Sequence, residues 1–483
     1  MSGIAMPAPD AGVLDKREAL IAGLKKISPN LVSDPIGLEV FESDALTAYR
    51  NVPLAVVLPT STEEVSHVLR YCHENGLKVV PRGAGTSLSG GALPLQDTVV
   101  IGVSRMNRVL DVNLDDRVAR VETGITNLGI SDAVSELGFF YAPDPSSQLA
   151  CTLAGNIAMN SGGAHCLKYG VTTNNILGMT VVLMDGQIVE FGGDYLDPHG
   201  YDFLGLMTGS EGLFGIVTEA TVRILPKAEG ARPMLMGFNS AEEAGGCVAA
   251  IIGAGIVPVA LEYMDRPAIK ICEEFSGAGY PLDVEALLIV EVEGSESEIA
   301  ELFARIREIA SGFNPTEMRE AQSEEEAAAI WRGRKSAFGA TGRISDYMCM
   351  DGVIPLSALP RALGEVARIC ARYDLGVANI FHAGDGNLHP LILFDANDPD
   401  QKERAEHCGA DILTTCVELG GCLTGEHGVG IEKRDLMTKQ YNRADLEQQI
   451  RVKTVFDPEW RLNRGKVFPL DMQPGAGDGS PHA

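Results

Sequence analysis

Pro81-Arg82-Gly83-Ala84-Gly85-Thr86-Ser87-Leu88-Ser89-Gly90-Gly91 is the stretch on which the reading of this chain turns. It follows Leu77-Lys78-Val79-Val80, a short apolar run that reads as a strand, and it places four glycines and three hydroxyl residues in eleven positions. Glycines permit positive φ and close approach of the backbone to a ligand, so successive amides can turn inward as an anion-binding nest. The loop is not a P-loop, because no Gly-Lys-Ser/Thr follows. It is not the dinucleotide fingerprint either, because Leu88 stands where the third glycine would fall. Taken alone, the segment is also compatible with a purely structural turn.

Two further stretches change that balance. Tyr141-Ala142-Pro143-Asp144-Pro145-Ser146-Ser147 leads into Cys151–Asn156 and then Asn160-Ser161-Gly162-Gly163, and Gly209-Ser210-Glu211-Gly212 precedes Phe214–Thr218. Three polar, glycine-rich stretches along one chain call for a large shared ligand to occupy their backbone amides.

Around them the pattern is mixed. Leu54–Pro59, Thr98–Val103, Arg117–Gly124 and Gly178–Phe191 read as strands, and Ser61-Thr62-Glu63-Glu64 opens a helix with capping-box chemistry. From residue 229 helical stretches such as 296–310 and 359–373 alternate with strands, which reads as helices covering one face of a mostly antiparallel sheet. The expectation is an α+β chain: a helical lead-in over 1–49, a ligand-binding domain over 50–228, a second domain over 229–430, a helical segment over 431–468 and a disordered tail over 469–483.

Composition removes several classes. The 483 residues are 45% hydrophobic and 22% charged, a globular mixture. A formal net charge of −27 repels phosphate backbones, so nucleic acid is not an expected partner. The longest nearly apolar run, Cys247–Leu261, is broken by Gly253, Gly255 and Pro258 and is too short to span a bilayer. The opening residues lack the basic and apolar regions of a secretion signal, so a cytoplasmic protein without a transmembrane segment is expected. None of the ten cysteines has Cys-x-x-Cys spacing, which argues against an iron–sulfur or zinc-finger framework within the chain.

A second constellation is His382-Ala383-Gly384-Asp385-Gly386-Asn387-Leu388-His389, flanked by the β-rich runs Gly376–Phe381 and Pro390–Phe394. It reads as a hairpin with the two histidines at facing strand ends, close enough to share one ion. Gly425-Glu426-His427-Gly428 follows, and two imidazoles with one carboxylate are a common divalent-metal set. Two histidines seven apart are also common in purely structural roles. Trp331-Arg332-Gly333-Arg334-Lys335 supplies cationic groups suited to a carboxylate, with pairing to Glu324-Glu325-Glu326 as the competing role.

The phrases RGAGTSLSGGALPL, YAPDPSSQ, NSGGAHCLKYGVT, GSEGLFGIVTEATV, HAGDGNLHPLILFDAN and GEHGVGIEK resemble the FAD-linked oxidases related to vanillyl-alcohol oxidase, in the D-2-hydroxyacid dehydrogenase branch. The likeness runs from about residue 40 to Phe468. It implies a p-cresol-methylhydroxylase-type FAD domain of two α+β subdomains, with a cap domain and a C-terminal segment that returns to the flavin. By that resemblance FAD is held by Arg82, Gly83, Ala84, Gly85, Thr86, Ser87, Ser89, Gly90 and Gly91; by Pro143, Asp144, Ser146, Gly155, Asn156, Asn160, Ser161 and Gly162; and by Glu211, Gly212, Gly215, Ile216, Val217 and Asn463. No histidine lies between Arg82 and Gly91, so the FAD is expected to be non-covalent.

The resemblance also makes His382, His389 and Glu426 ligands of a divalent cation, usually zinc, with His427 as base and Arg334 as partner of the substrate carboxylate. Relatives acting on dicarboxylates carry a threonine and a lysine where Phe338 and Cys349 stand, which favours a small monocarboxylate such as glycolate, or D-lactate. The implied partners are a second FAD-type subunit and an iron–sulfur subunit, which would bring the chain to the inner membrane peripherally. Competing readings are a D-lactate dehydrogenase acting alone, a metal-dependent hydrolase and a transferase using FAD without net oxidation.

Overall fold

The computed structural model describes residues 4–195 and 200–474. The chain forms two compact units. The first takes the residues up to Gly162, Val171–Pro226 and the chain from Glu426 on; the second takes Gly163–Gly170 and Lys227–Gly425.

The first unit holds a four-stranded and a five-stranded sheet. In the smaller one, Ala55–Val57, Thr98–Gly102 and Lys78–Arg82 run parallel, with Leu31–Val32 antiparallel at one edge. The larger is antiparallel, in the order Val109–Asn113, Val118–Glu122, Ile216–Arg223, Ile176–Val182 and Ile188–Gly192. The helix Thr62–Glu74 buries Val65, Val68, Leu69 and Cys72 at helical spacing in one cluster with Val57, Val79, Val99, Val182 and Ile216. Full burial of each large aliphatic side chain is worth roughly 1.5–3 kcal/mol, which fixes the helix over its single apolar stripe. Ser61 caps it by accepting from the Glu64 amide at 3.2 Å. The reciprocal half of the box is missing: the Glu64 carboxylate takes the Thr60 amide at 2.9 Å and the Ser28 hydroxyl at 2.5 Å instead.

The lead-in is not separate from this unit, since Leu20 and Leu24 of the helix Arg17–Ile27 join the same cluster. The chain beyond Glu426 belongs to it as well. The helix Arg443–Phe456 ends before Asp457-Pro458, and Leu462 then bridges Val79 in parallel, extending the strand that leads into the glycine-rich loop. Gln473 is buried and its side chain bonds Gly465 and Phe468, so order extends through Pro474 rather than stopping at 469. The rest of the expected disordered tail, 475–483, lies outside the described residues.

In the second unit a sheet runs in the order Glu317–Glu320, Gly230–Phe238, Ala286–Gly294, Ala260–Asp265 and Gly376–His382, all antiparallel. Helices cover both of its faces, not one as the sequence suggested. Ala241–Gly253, Glu296–Ser311 and Leu359–Arg372 pack with Met234, Met236 and Phe238, whereas Arg266–Ser276, Glu324–Lys335 and Ala337–Gly342 pack on the side that includes Leu235. The physical reason is in the strands: Leu287-Leu288-Ile289-Val290 is apolar at every position, and a strand of that kind must be buried on both faces. Among the described residues no helix is long and apolar enough to cross a membrane.

Candidate active site

The glycine-rich loop leaves the strand Lys78–Arg82 and turns back over the start of the short helix Leu153–Met159. A Cβ on Gly83 would stand 2.3 Å from Thr152 Oγ1, so only glycine allows this approach. Gly85 and Gly90 both have φ of +78°. Ser87 Oγ accepts the Gly91 amide at 3.1 Å, which closes the turn on itself. Arg82 folds back, giving Nη1 to the Ser43 carbonyl at 2.8 Å and stacking over Phe41. Ala84 is exposed, Thr86 half-buried, and Ser89 fully buried.

The other flavin residues named from the sequence fall into two groups. Asn156 is buried and its amide is engaged by Asn127 and Cys151, so it acts within the protein. Gly215 is closed in by Val181, and Ile216 lies in the core. The Val217 carbonyl accepts from Thr123 Oγ1 at 2.7 Å. Pro143 is buried, Asp144 half-buried and Ser146 exposed in the loop before Cys151. Asn160 adopts the left-handed conformation and its Oδ1 takes the Thr173 amide at 2.9 Å, while the Ser161 carbonyl accepts the Thr172 hydroxyl at 2.8 Å. Gly155 receives the cap from Thr152, and the Gly162 amide donates to Glu426 Oε2 at 3.0 Å.

Glu211, which the likeness places at the flavin, has its carboxylate engaged within the protein. Its carboxylate accepts the Val429 and Gly430 amides at 2.6 and 2.8 Å and so fixes the loop after His427. Burial pushes its pKa up, against the pull of those amides and of Lys433 and Lys466. A Cβ on Gly212 would meet Pro81, the last residue but one of the strand entering the loop. Asn463 ties three segments together, giving Nδ2 to the carbonyls of Glu211 at 2.6 Å and Gly91 at 3.3 Å while Lys466 donates to its Oδ1 at 2.9 Å. His427 is attached to the glycine-rich loop itself, because its carbonyl accepts the Ser89 hydroxyl at 3.0 Å.

In the second unit the histidine hairpin forms with a different register. His382 pairs with Asn387 rather than with His389, and the pairing resumes at Asn379 with Pro390. The turn is therefore tighter than the eight-residue reading, but the imidazoles of His382 and His389 still meet edge to face with centroids 5.3 Å apart. Both are buried. Asp351, wholly buried, stands 3.4 Å from His389 Nε2 and accepts the Gly425 amide at 3.0 Å and the Thr424 hydroxyl. A Cβ on Gly425 would collide with the Asn387 amide, so the residue that directly precedes Glu426 is pressed against the hairpin turn.

Arg334 does not pair with the Glu324–Glu326 run. Glu326 is taken by Arg319, while Arg334, itself buried, is held by Glu262 at 2.6 and 2.9 Å. The other oxygen of Glu262 meets His382 Nδ1 at 2.7 Å. Burial would raise the Glu262 pKa, but the charges and hydrogen bonds of His382 and Arg334 outweigh it and bring the carboxyl down to about 2. Phe338 and Cys349 sit in the apolar cluster on this face. His165 lies in the short segment belonging to the second unit, 3.3 Å from Glu291, which also accepts the Trp331 indole N–H at 2.7 Å.

Glu262 and Asp351 are the site residues that sequence reasoning missed. Their signal was present: each is an acid inside an otherwise apolar strand-like run, Val259-Ala260-Leu261-Glu262-Tyr263-Met264 and Met348-Cys349-Met350-Asp351. A carboxylate at such a position needs a partner to justify its burial.

Comparison with known proteins places this geometry in a class. Residues 53–192 match the FAD binding domain family and residues 227–467 the family of FAD linked oxidases, C-terminal domain. The chain belongs to the FAD-linked oxidases and is an FAD-binding oxidoreductase. Among its relatives, glycolate oxidase subunit GlcD of Escherichia coli K12 is 51% identical over 430 residues, covering 89% of this chain and 86% of that one. A D-lactate dehydrogenase of Anaerostipes hadrus is 31% identical, covering 93% and 97%. Among solved structures, 4-ethylphenol oxidase from Gulosibacter chungangensis and p-cresol methylhydroxylase each superpose with a TM-score of 0.80, covering 97% and 98% of this chain and all of theirs. At 16% and 15% identity those two speak for the fold alone.

Proposed function

We propose that this chain oxidises a small 2-hydroxy acid, glycolate first, to the 2-oxo acid, as the flavin subunit of a larger assembly. The observation that carries the reading is the buried array in which Glu262 joins Arg334, a carboxylate-binding group, to His382, a metal-binding group, beside His389. The 51% identity to a glycolate oxidase subunit supports the substrate.

The residues fit both groups the reading requires. For FAD, the cradle at Gly83 and the positive φ of Gly85 and Gly90 leave main-chain amides to face a pyrophosphate, and with no histidine in 82–91 the loop offers no imidazole for a covalent link, which supports non-covalent attachment. For a divalent cation such as zinc, His382 and His389 offer paired imidazoles, and Glu426 follows directly on the anchored Gly425. When bound, FAD would supply a hydride acceptor and the cation a Lewis acid that makes the substrate hydroxyl more acidic.

The chain's own groups do the rest. Arg334 binds the substrate carboxylate and orients the α C–H. His427, fixed to the glycine-rich loop through its carbonyl, accepts the hydroxyl proton at its imidazole, as a general base. Phe338 and Cys349 offer no cation for a second carboxylate, which fits a monocarboxylate. Electrons leave through a second flavin-type subunit and an iron–sulfur subunit, with attachment to the inner membrane only through those partners. The relatedness to D-lactate dehydrogenases favours D-lactate as the second substrate to try.

The test is an anaerobic absorbance titration of the purified protein with glycolate, D-lactate, L-lactate and D-2-hydroxyglutarate. Glycolate or D-lactate should bleach the flavin and release the 2-oxo acid. Indifference to both would reject the proposal.

A further inference from the structure

Glu262 lies in the strand Ala260–Asp265, where it is wholly buried and stands directly opposite His382 in the antiparallel register. Its neighbours Leu261 and Tyr263 point to one face of the sheet. Glu262 shares the other face with Met264, where the helix Glu324–Lys335 delivers Arg334. The two oxygens of this one carboxylate are divided between two functional groups: Oε1 meets His382 Nδ1 at 2.7 Å, and Oε2 meets Arg334 Nε at 2.9 Å and Nη2 at 2.6 Å.

This division has chemical consequences. An ionised carboxylate only accepts, so His382 must carry a proton on Nδ1, and the neutral ring that would bind a cation has Nε2 as its lone-pair nitrogen. The guanidinium is engaged along its Nε–Nη2 side, which turns Nη1 away from Glu262 and fixes the plane of the fork. A buried ion pair adds little net stability, because desolvation consumes most of the attraction. What Glu262 orients accounts for its place better than what it stabilises.

We propose that Glu262 is a positioning residue serving both partners at once. It holds His382 in the tautomer a cation needs and Arg334 in the plane a substrate carboxylate needs, so cation and substrate binding are linked through one side chain. The inference rests on the functional reading above and adds a residue to it. Orienting carboxylates behind metal-binding histidines are typically worth about 10–100-fold in metal affinity.

The experiment uses full-length, FAD-containing protein stripped of metal with a chelator. Zinc binding is followed by calorimetry, and glycolate oxidation is then measured at saturating zinc. Glu262→Gln offers one acceptor oxygen for two donors, and Glu262→Asp keeps the charge on a stem one methylene shorter. The expected result is retained flavin absorbance, zinc Kd raised about 10–100-fold in both variants, and a glycolate KM raised more than kcat falls. Native protein that takes up no zinc overturns the reading of the site and this inference with it. Native protein that binds zinc while both variants bind it equally well overturns the role of Glu262 alone. Loss of fold and flavin in both variants marks a purely structural ion pair and overturns it too.

Discussion

The two units bury their cations against different partners. In the first, Lys433, Lys453, Lys466 and Arg434 are all buried, and each donates to main-chain carbonyls (Gly428; Leu213 and Leu462; Gly91; and Gly465), with the neighbouring acids Glu432, Asp457 and Asp435 as further partners of Lys433, Lys453 and Arg434. In the second, buried Arg334 ends on a carboxylate that also holds an imidazole. A cation on carbonyls nails loops in place, among them the glycine-rich loop at Gly91 and the segment after His427. A cation on a carboxylate keeps a defined orientation for a ligand. One unit spends buried charge on backbone shape, the other on side-chain direction.

That contrast can be broken at four points. The largest effect is expected at His427, which belongs to the fixed loop and is proposed as the base: His427→Ala should lower the rate of glycolate-driven flavin reduction by about 10²–10⁴-fold with FAD still bound. Stopped-flow absorbance measures it, and near-normal rates would remove His427 as the base. Next, Lys453→Met leaves Asp457, which it meets at 2.5 Å, buried without its cation. The cost should be about 3–5 kcal/mol of unfolding free energy in denaturant titrations; a variant as stable as the parent would show that this buried cation is not structural.

Arg334→Lys keeps the charge and loses the fork, so KM for glycolate should rise roughly tenfold, as expected for about 1.5 kcal/mol lost from a charged hydrogen bond. Steady-state kinetics at saturating cation reads this, and an unchanged KM would place the carboxylate anchor elsewhere.

The smallest effect concerns Lys466, whose pKa burial lowers to about 7, against the pull of Asp44 and Glu211. Between pH 7 and the ordinary lysine value the unfolded chain binds a proton that the folded one does not, so this residue makes stability rise with pH across that window. Below it both states are protonated, and the cost of the buried charge is felt in full. Denaturation midpoints at pH 7 and 9.5 should therefore differ less in Lys466→Met than in the native protein.

How much of this was legible depends on whether the signal was local. The strand before Gly83, the cap at Ser61, the helix stop before Pro458 and the nearness of the His382 and His389 imidazoles all follow from neighbouring residues, and the chain shows them, although the strand register pairs His382 with Asn387. The partner of Arg334 was not legible. Glu324–Glu326 is near in sequence, but the register of Ala260–Asp265 against Gly376–His382 puts Glu262 in reach instead. The carboxylate partners of Glu211 were not legible either, because they are amides more than two hundred residues away. The second layer of helices was hidden because an all-apolar strand such as Leu287–Val290 says that both faces are covered without saying by what.

The bridge between Val79 and Leu462 has a consequence for how the protein is made. A ribosome releases the strand leading to the glycine-rich loop early, and the residues that brace it only after some 380 more have emerged. The second unit's whole interval, Lys227–Gly425, is synthesised in between. The nucleotide-holding half therefore waits, incomplete, for its last strand, and a chain truncated before Leu462 lacks the brace on which that half closes.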